Sequence, residues 1–143
     1  MSFLQEGARM AARKMPKVIR PEVHAVLDYA IAGAFFFMGI RQWKRNRRIA
    51  MASLLYGGGA ALNAMLTDYP GGVFRVMSYR THGRFDVGLA VLTASTPQVL
   101  GFSDAAEARF FSAQALGETL ITGMTDYNHY SEGEEEHPLE AVS

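Results

Sequence analysis

Hydrophobic and polar positions fall in long blocks along this chain, and the blocks predict helices. After Pro21, a residue suited to a first helical position, the stretch His24 to Ile40 is apolar on every face from Tyr29 onward, which predicts a helix buried all round. Arg41, Lys44, Arg45, Arg47 and Arg48 then form a basic turn around Trp43, an arrangement that suits a membrane-interface anchor as well as a soluble loop. The second block, Ile49 to Thr67, has nineteen residues without a charge and carries Gly57-Gly58-Gly59 among several alanines. Small residues let a neighbouring helix approach closely. In water each of those glycines costs a helix about 1 kcal/mol relative to alanine, so the block needs tertiary or lipid support. Pro70-Gly71-Gly72 ends it, and a link from Val73 to Thr81 follows. A third block runs from His82 to Phe102, with Pro97 set to kink or end it. Ser103-Asp104 then offers a turn and an N-cap for a fourth helix from about Ala105 to Met124. Four such blocks joined by short links predict an all-α, up-down four-helix bundle.

One constellation is written twice within these blocks. His24 and Asp28 head the first, and Thr67-Asp68-Tyr69 closes the second; fifty-eight residues later His82 and Asp86 repeat the pair and Thr125-Asp126-Tyr127 repeats the close. This predicts a duplicated helical hairpin, with repeats 24–69 and 82–127 inside a domain spanning 21–127, flanked by a basic segment 1–20 and a polar, acidic, disordered tail 128–143. Residues i and i+4 share a helix face, so each His aims in the same direction as its Asp. In antiparallel hairpins Asp68 is expected beside the first pair and Asp126 beside the second. Tyr69 and Tyr127 are placed to hydrogen-bond across the resulting polar layer, which would hold two imidazoles and four carboxylates at one end of the bundle.

Three readings of that layer stand open. As a metal site, His24, Asp28, His82 and Asp86 suit zinc, manganese or iron, although the Glu-x-x-His pattern common in helical bundles is missing. As a proton or ion relay, the acids and imidazoles would work with Glu118, an acid deeper in the fourth block that becomes an intramembrane acid if lipid surrounds it. As a structural layer, Asp68 and Asp126 would cap neighbouring helix heads and each His would tie one helix to the next. A haem could take one axial His from each repeat, but nothing else marks a porphyrin site, and the cofactor is left unknown. His129 and His137 fall in the tail. Phe35-Phe36-Phe37 and the eight methionines read as packing.

Composition narrows the setting. Fourteen basic residues balance fourteen acidic ones, but eleven of the basic ones precede position 76 and the acids gather in the tail. The basic residues sit at block ends without lining a face, so no nucleic-acid partner is expected. The chain has no cysteine, which removes disulfide and thiolate chemistry. The first twenty residues lack the apolar core of a cleavable signal and read as a basic amphipathic helix, with Phe3, Leu4, Ala8, Ala11 and Met15 on one side, stopped at Pro16. Blocks of seventeen to twenty-one residues reach roughly 26 to 32 Å, close to the thickness of a bilayer's hydrocarbon layer. Mean hydropathy close to zero and Glu118 weigh against that setting, and basic residues split eight to six between the two ends, which leaves orientation open.

Leu66-Thr67-Asp68-Tyr69, then Arg80-Thr81-His82 with Asp86, then Thr96-Pro97-Gln98-Val99-Leu100-Gly101-Phe102, resemble the SPW-repeat family of small bacterial membrane proteins over about His24 to Tyr127. Thr96 and Gln98 stand where that family's signature has serine and tryptophan. The resemblance implies tandem transmembrane helical hairpins in a bacterial membrane and no established activity. The leading expectation is thus a small integral membrane protein in contact with lipid, acting as a structural or accessory module that packs against a larger membrane complex or itself. A metal-binding or proton-handling protein built on the His/Asp layer is the second expectation, and a soluble oligomeric bundle the third. No nucleophile or phosphate loop is legible, so the chain leans away from enzymes.

Overall fold

Pro21 has no amide hydrogen to leave unsatisfied and a backbone angle already set for a helix, and the first helix starts there. The computed structural model describes Glu6 and residues 15–128, and it is all-helical over four main elements. The expected amphipathic helix before Pro16 and the acidic tail lie outside the described residues, apart from their inner ends. Helix α1 covers Pro21–Gln42, α2 Arg47–Leu66, α3 Tyr79–Val99 and α4 Glu107–Gly123. Asn46 caps α2, its side-chain oxygen accepting from the amides of Arg48 at 3.1 Å and Ile49 at 3.3 Å. Ser78 caps α3 in the same way, accepting from the Thr81 amide at 3.2 Å, so this helix begins three residues ahead of His82.

Two boundaries differ from the sequence expectation. Helix α4 opens at Glu107, with Ala106 at its N-cap and no side-chain cap, while Ser103-Asp104 belongs to the preceding turn. Glu107 instead supplies negative charge to the first turn, and its carboxylate accepts from Gln42 Nε2 at 2.8 Å, tying α4 to the end of α1. Pro97 neither ends nor leaves α3; the helix closes two residues later and Gly101, at φ 72°, reverses the chain.

Packing follows the duplication. Helix α1 lies chiefly against α2 and α3 against α4, two antiparallel hairpins joined by 67–78. The ends of the repeats are zipped by matching short bridges: Ile19 with Thr125, and Thr67 with Met77. The Ile19 amide donates to Met124 at 3.0 Å and the Met77 amide to Leu66 at 2.9 Å, positions again related by the repeat offset, so the repeat extends upstream of His24. Gly57 allows α2 to close on α1, since a Cβ there would lie 3.1 Å from the Ala32 carbonyl. Phe35, Ile49, Ala52, Phe102 and Phe111 form the apolar core toward the Trp43 end, and Ala25, Ala64, Tyr69 and Tyr79 form a second cluster around the opposite end.

The protein itself buries only one side of each helix. Val26, Phe37 and Ile40 on α1, Leu55 on α2, Val91 on α3 and Leu116 on α4 are all more than 60% exposed. Among the described residues the expectation that α1 is buried all round is therefore met by protein on one face alone. Helices α1 and α2 are long and apolar enough to cross a membrane. Among the described residues α3 and α4 fall short of that measure: α3 carries Arg84, Asp86 and a run of hydroxyl residues, and α4 has 17 residues.

Candidate functional site

The site sits where the heads of α1 and α3 meet the feet of α2 and α4. His24 and His82 are fully buried and Asp28 and Asp86 are 9% exposed. Helical spacing puts each His one turn from its Asp, and the hairpin symmetry turns the two pairs toward each other. The two Nε2 atoms lie 3.1 Å apart. His24 Nε2 lies 3.2 Å from Asp28 Oδ1 and 3.3 Å from Asp86 Oδ2. His82 Nε2 lies 3.2 Å from Asp28 Oδ2 and 3.0 Å from Asp86 Oδ2. Four side chains from two helices thus converge, with a ligand atom from each within 4.8 Å of all the others.

The outer nitrogens fix which ring atom carries a proton. Thr67 Oγ1 donates to the Asn63 carbonyl at 2.6 Å, a backbone bond one turn back that uses its single hydrogen. It must then accept from His82 Nδ1 at 2.8 Å. Thr125 does the same on the other side, donating to the Ile121 carbonyl at 2.7 Å and accepting from His24 Nδ1 at 2.8 Å. Both imidazoles consequently hold their Nδ1 hydrogens outward, and in the neutral rings both Nε2 lone pairs point at the shared centre. Two lone pairs and two carboxylates at these separations repel unless positive charge lies between them. That charge is a cation, or protons carried on Nε2.

The carboxylates are oriented too. Tyr69 donates to Asp28 Oδ2 at 2.8 Å and Tyr127 to Asp86 Oδ2 at 3.1 Å, both across the same sequence separation of 41. Burial, with the charge of Asp28 beside Tyr69 and of Asp86 beside Tyr127, pushes both phenols far above their ordinary value of 10.0, so they remain donors. Asn63 Nδ2 donates to Asp86 Oδ1 at 2.9 Å. Its repeat counterpart is Ile121, so Asp86 is held by two donors and Asp28 by one. Tyr79 stacks on Tyr69 with ring centroids 5.4 Å apart and tilts against Tyr127 at 4.8 Å, roofing the imidazoles with aromatic surface.

Of the residues singled out in the sequence, His24, Asp28, Tyr69, His82, Asp86 and Tyr127 come together. Asp68 and Asp126 do not join them. Thr67 has extended backbone angles, so successive side chains alternate in direction: Thr67 and Tyr69 turn inward and Asp68 turns out, 3.6 Å from Arg75. Asp126 likewise faces outward and accepts from the Asn128 amide at 3.0 Å. The layer therefore contains two carboxylates rather than four; Asp126 caps the helical turn that starts at Tyr127 in its own segment, and Asp68 pairs with Arg75. Glu118 is 4% exposed, and neither oxygen makes a hydrogen bond of good geometry among the described residues. Thr67, Thr125, Asn63 and Tyr79 were missing from the sequence-derived set, although both threonines recur at the repeat offset and Asn63 is the one amide in its apolar block.

Comparison of the chain with protein-family models, with curated proteins and with solved structures gives no match, so the resemblance to SPW-repeat proteins rests on the residues quoted for it and the functional reading rests on this geometry.

Proposed function

We propose that this chain is an integral membrane protein whose bundle holds one divalent first-row transition ion, zinc, manganese or iron, on His24, Asp28, His82 and Asp86. The observation that carries the proposal is the pairing of convergence with orientation. The two Nε2 atoms lie 3.0 to 3.3 Å from each other and from an oxygen of each Asp, near the edges of about 3.0 to 3.4 Å that follow from metal–ligand bonds of about 2.0 to 2.1 Å, and one donor atom per residue falls within 4.8 Å of all the others. Each ligand is also held in place: a threonine accepts from the outer Nδ1 of each His, and a tyrosine donates to the Oδ2 of each Asp, the oxygen that faces His82. Two carboxylates neutralise a divalent ion, which suits a site of low dielectric. A purely structural layer needs no such alignment of both Nε2 atoms on one point.

The membrane setting is supported by the apolar flank that all four helices turn outward, with Trp43 and its stacked Arg47, 3.8 Å from the ring centroid, at one end. A soluble monomer would expose this flank to water. In this reading the Arg41 to Arg48 turn lies at a bilayer surface, and the SPW-repeat resemblance describes the same arrangement.

The test has two arms. The protein is expressed and fractionated, then purified in detergent and analysed for metals. One ion per chain in the membrane fraction, lost in a His24→Ala, His82→Ala double variant that still folds, supports the proposal. A detergent-free soluble species overturns the membrane part. A metal-free protein that takes up none of the three ions on dialysis overturns the centre and leaves protons on Nε2 as the source of the positive charge.

A further inference from the structure

Below the four ligands, deeper in the bundle, lies a cavity of about 20 Å³ bordered by Asp28, Asp86, Ala60, Ile121 and Glu118. That volume admits one water and no organic substrate. Glu118 brings to it a carboxylate that is 96% buried and makes no hydrogen bond of good geometry; the buried Thr93 hydroxyl beside it can serve one oxygen at most, which leaves the other in need of a partner. The repeat places Ala60 at the position equivalent to Glu118, so the two halves differ at this cavity: a small side chain opens it on one side and a carboxylate enters from the other.

We infer that Glu118 holds a water in this cavity as a further ligand of the ion, so that the centre has four protein ligands and one exchangeable position open only to water-sized molecules. This rests on the metal reading above. Two features lead to it. The distances of 3.0 to 3.3 Å from the Nε2 atoms to each other and to the carboxylates lie within a ligand set spanning up to 4.8 Å. They suit the near-right angles of a five- or six-coordinate ion better than the uniform edges of roughly 3.4 Å in a closed tetrahedral zinc site, so four protein ligands leave its sphere incomplete. The cavity adjoins the ligand set, since Asp28 and Asp86 line it, and Glu118 is the buried carboxylate beyond the ligands that can orient a water there. A water there gives the Glu118 oxygens a partner and completes the ion's sphere. Glu118 is thus a positioning residue, acting on the ion through the water.

The Mn(II) form of the parent protein in ¹⁷O-enriched water tests this without a variant: one strongly coupled water oxygen by electron–nuclear double resonance supports it, and no coupled oxygen overturns it. The Co(II) form tests the same point by its visible spectrum. Glu118→Leu and Ala60→Leu fill the cavity from opposite sides without touching a ligand, and each should change a weak five-coordinate spectrum into a several-fold more intense four-coordinate one. Glu118→Gln, which keeps an acceptor oxygen, should retain the parent spectrum. Coincident spectra for the parent and a folded cavity-filling variant overturn the inference while leaving the metal centre standing. Failure of the protein to take up any of zinc, manganese, iron or cobalt removes the centre and the inference together.

Discussion

Replacing Thr67 by valine takes away the acceptor for His82 Nδ1 with little change of volume, and its effect on metal affinity can be worked from the structure. Both residues are fully buried, so bulk water does not take the place of the lost hydroxyl. The 2.8 Å bond from the imidazole is then unmade, leaving Nδ1 only the Asn63 carbonyl at 3.5 Å, and a buried donor so poorly paired costs up to about 1 to 3 kcal/mol. The free ring can also turn or exchange its tautomer, moving the lone pair off the ion. Losing such an outer partner lowers affinity by about 10- to 100-fold, which corresponds to about 1.4 to 2.7 kcal/mol. Thr125→Val removes the equivalent bond to His24 and should cost the same within that range. The double variant should lose less than the product of the two, because both imidazoles act on one ion. The assay is competition for zinc against a chromophoric chelator in detergent, with Thr67→Ser as a control that keeps the hydroxyl. Valine variants that bind zinc as tightly as the parent while melting at a lower temperature would refute the reasoning, assigning the threonines to structure alone.

Ligands must be deprotonated to bind, so zinc affinity should rise with pH and binding should release protons; calorimetric titration in two buffers of different ionisation enthalpy measures the number, and a release of zero contradicts the site. Val91→Asp, on the exposed flank of α3, should cost about 2.5 to 3.5 kcal/mol of membrane insertion. A water-facing surface substitution would stay within about ±0.5 kcal/mol, and resistance to carbonate extraction separates the two. Gly83→Ala would place a Cβ 2.8 Å from the Tyr127 ring, so the ring must move off Asp86 and stability should fall by about 1 to 3 kcal/mol, read by thermal melting in detergent. Gly58→Ala meets open space and serves as the matched substitution expected to leave the melting temperature unchanged or raised.

Much of this architecture is legible in the residues because a duplication reports itself. The recurrence of His-x-x-x-Asp and Thr-Asp-Tyr at one offset locates both hairpins and brings the two pairs to one end. The chemistry inside Thr-Asp-Tyr is harder to see. Asp68 looks like the functional member of the triplet, yet the chain leaves α2 in extended form, which turns the residues on either side of it inward. Side-chain direction there depends on where the helix stops, and the stop is set by the Thr67–Met77 bridge, a contact between positions ten apart that no periodicity announces. Asn63 and Tyr79 escaped for a related reason: their role depends on facing Asp86 and Tyr69 across the bundle. The uncovered flank of α1 shows the opposite failure, since an all-round apolar pattern says that water is excluded without saying what excludes it.

Each hairpin supplies one His and one Asp, and the two Nε2 atoms meet on the pseudo-twofold axis. A single hairpin therefore carries only half of the centre and could have completed it only by pairing with a second copy of itself. Carrying both halves in one chain removes that dependence and leaves the halves free to differ. The mismatches lie beside the axis, where a symmetric pair would have been bound to carry the same residue twice: Asn63 opposite Ile121, and Ala60 opposite Glu118. With both halves in one chain, one carboxylate, rather than two or none, reaches the cavity.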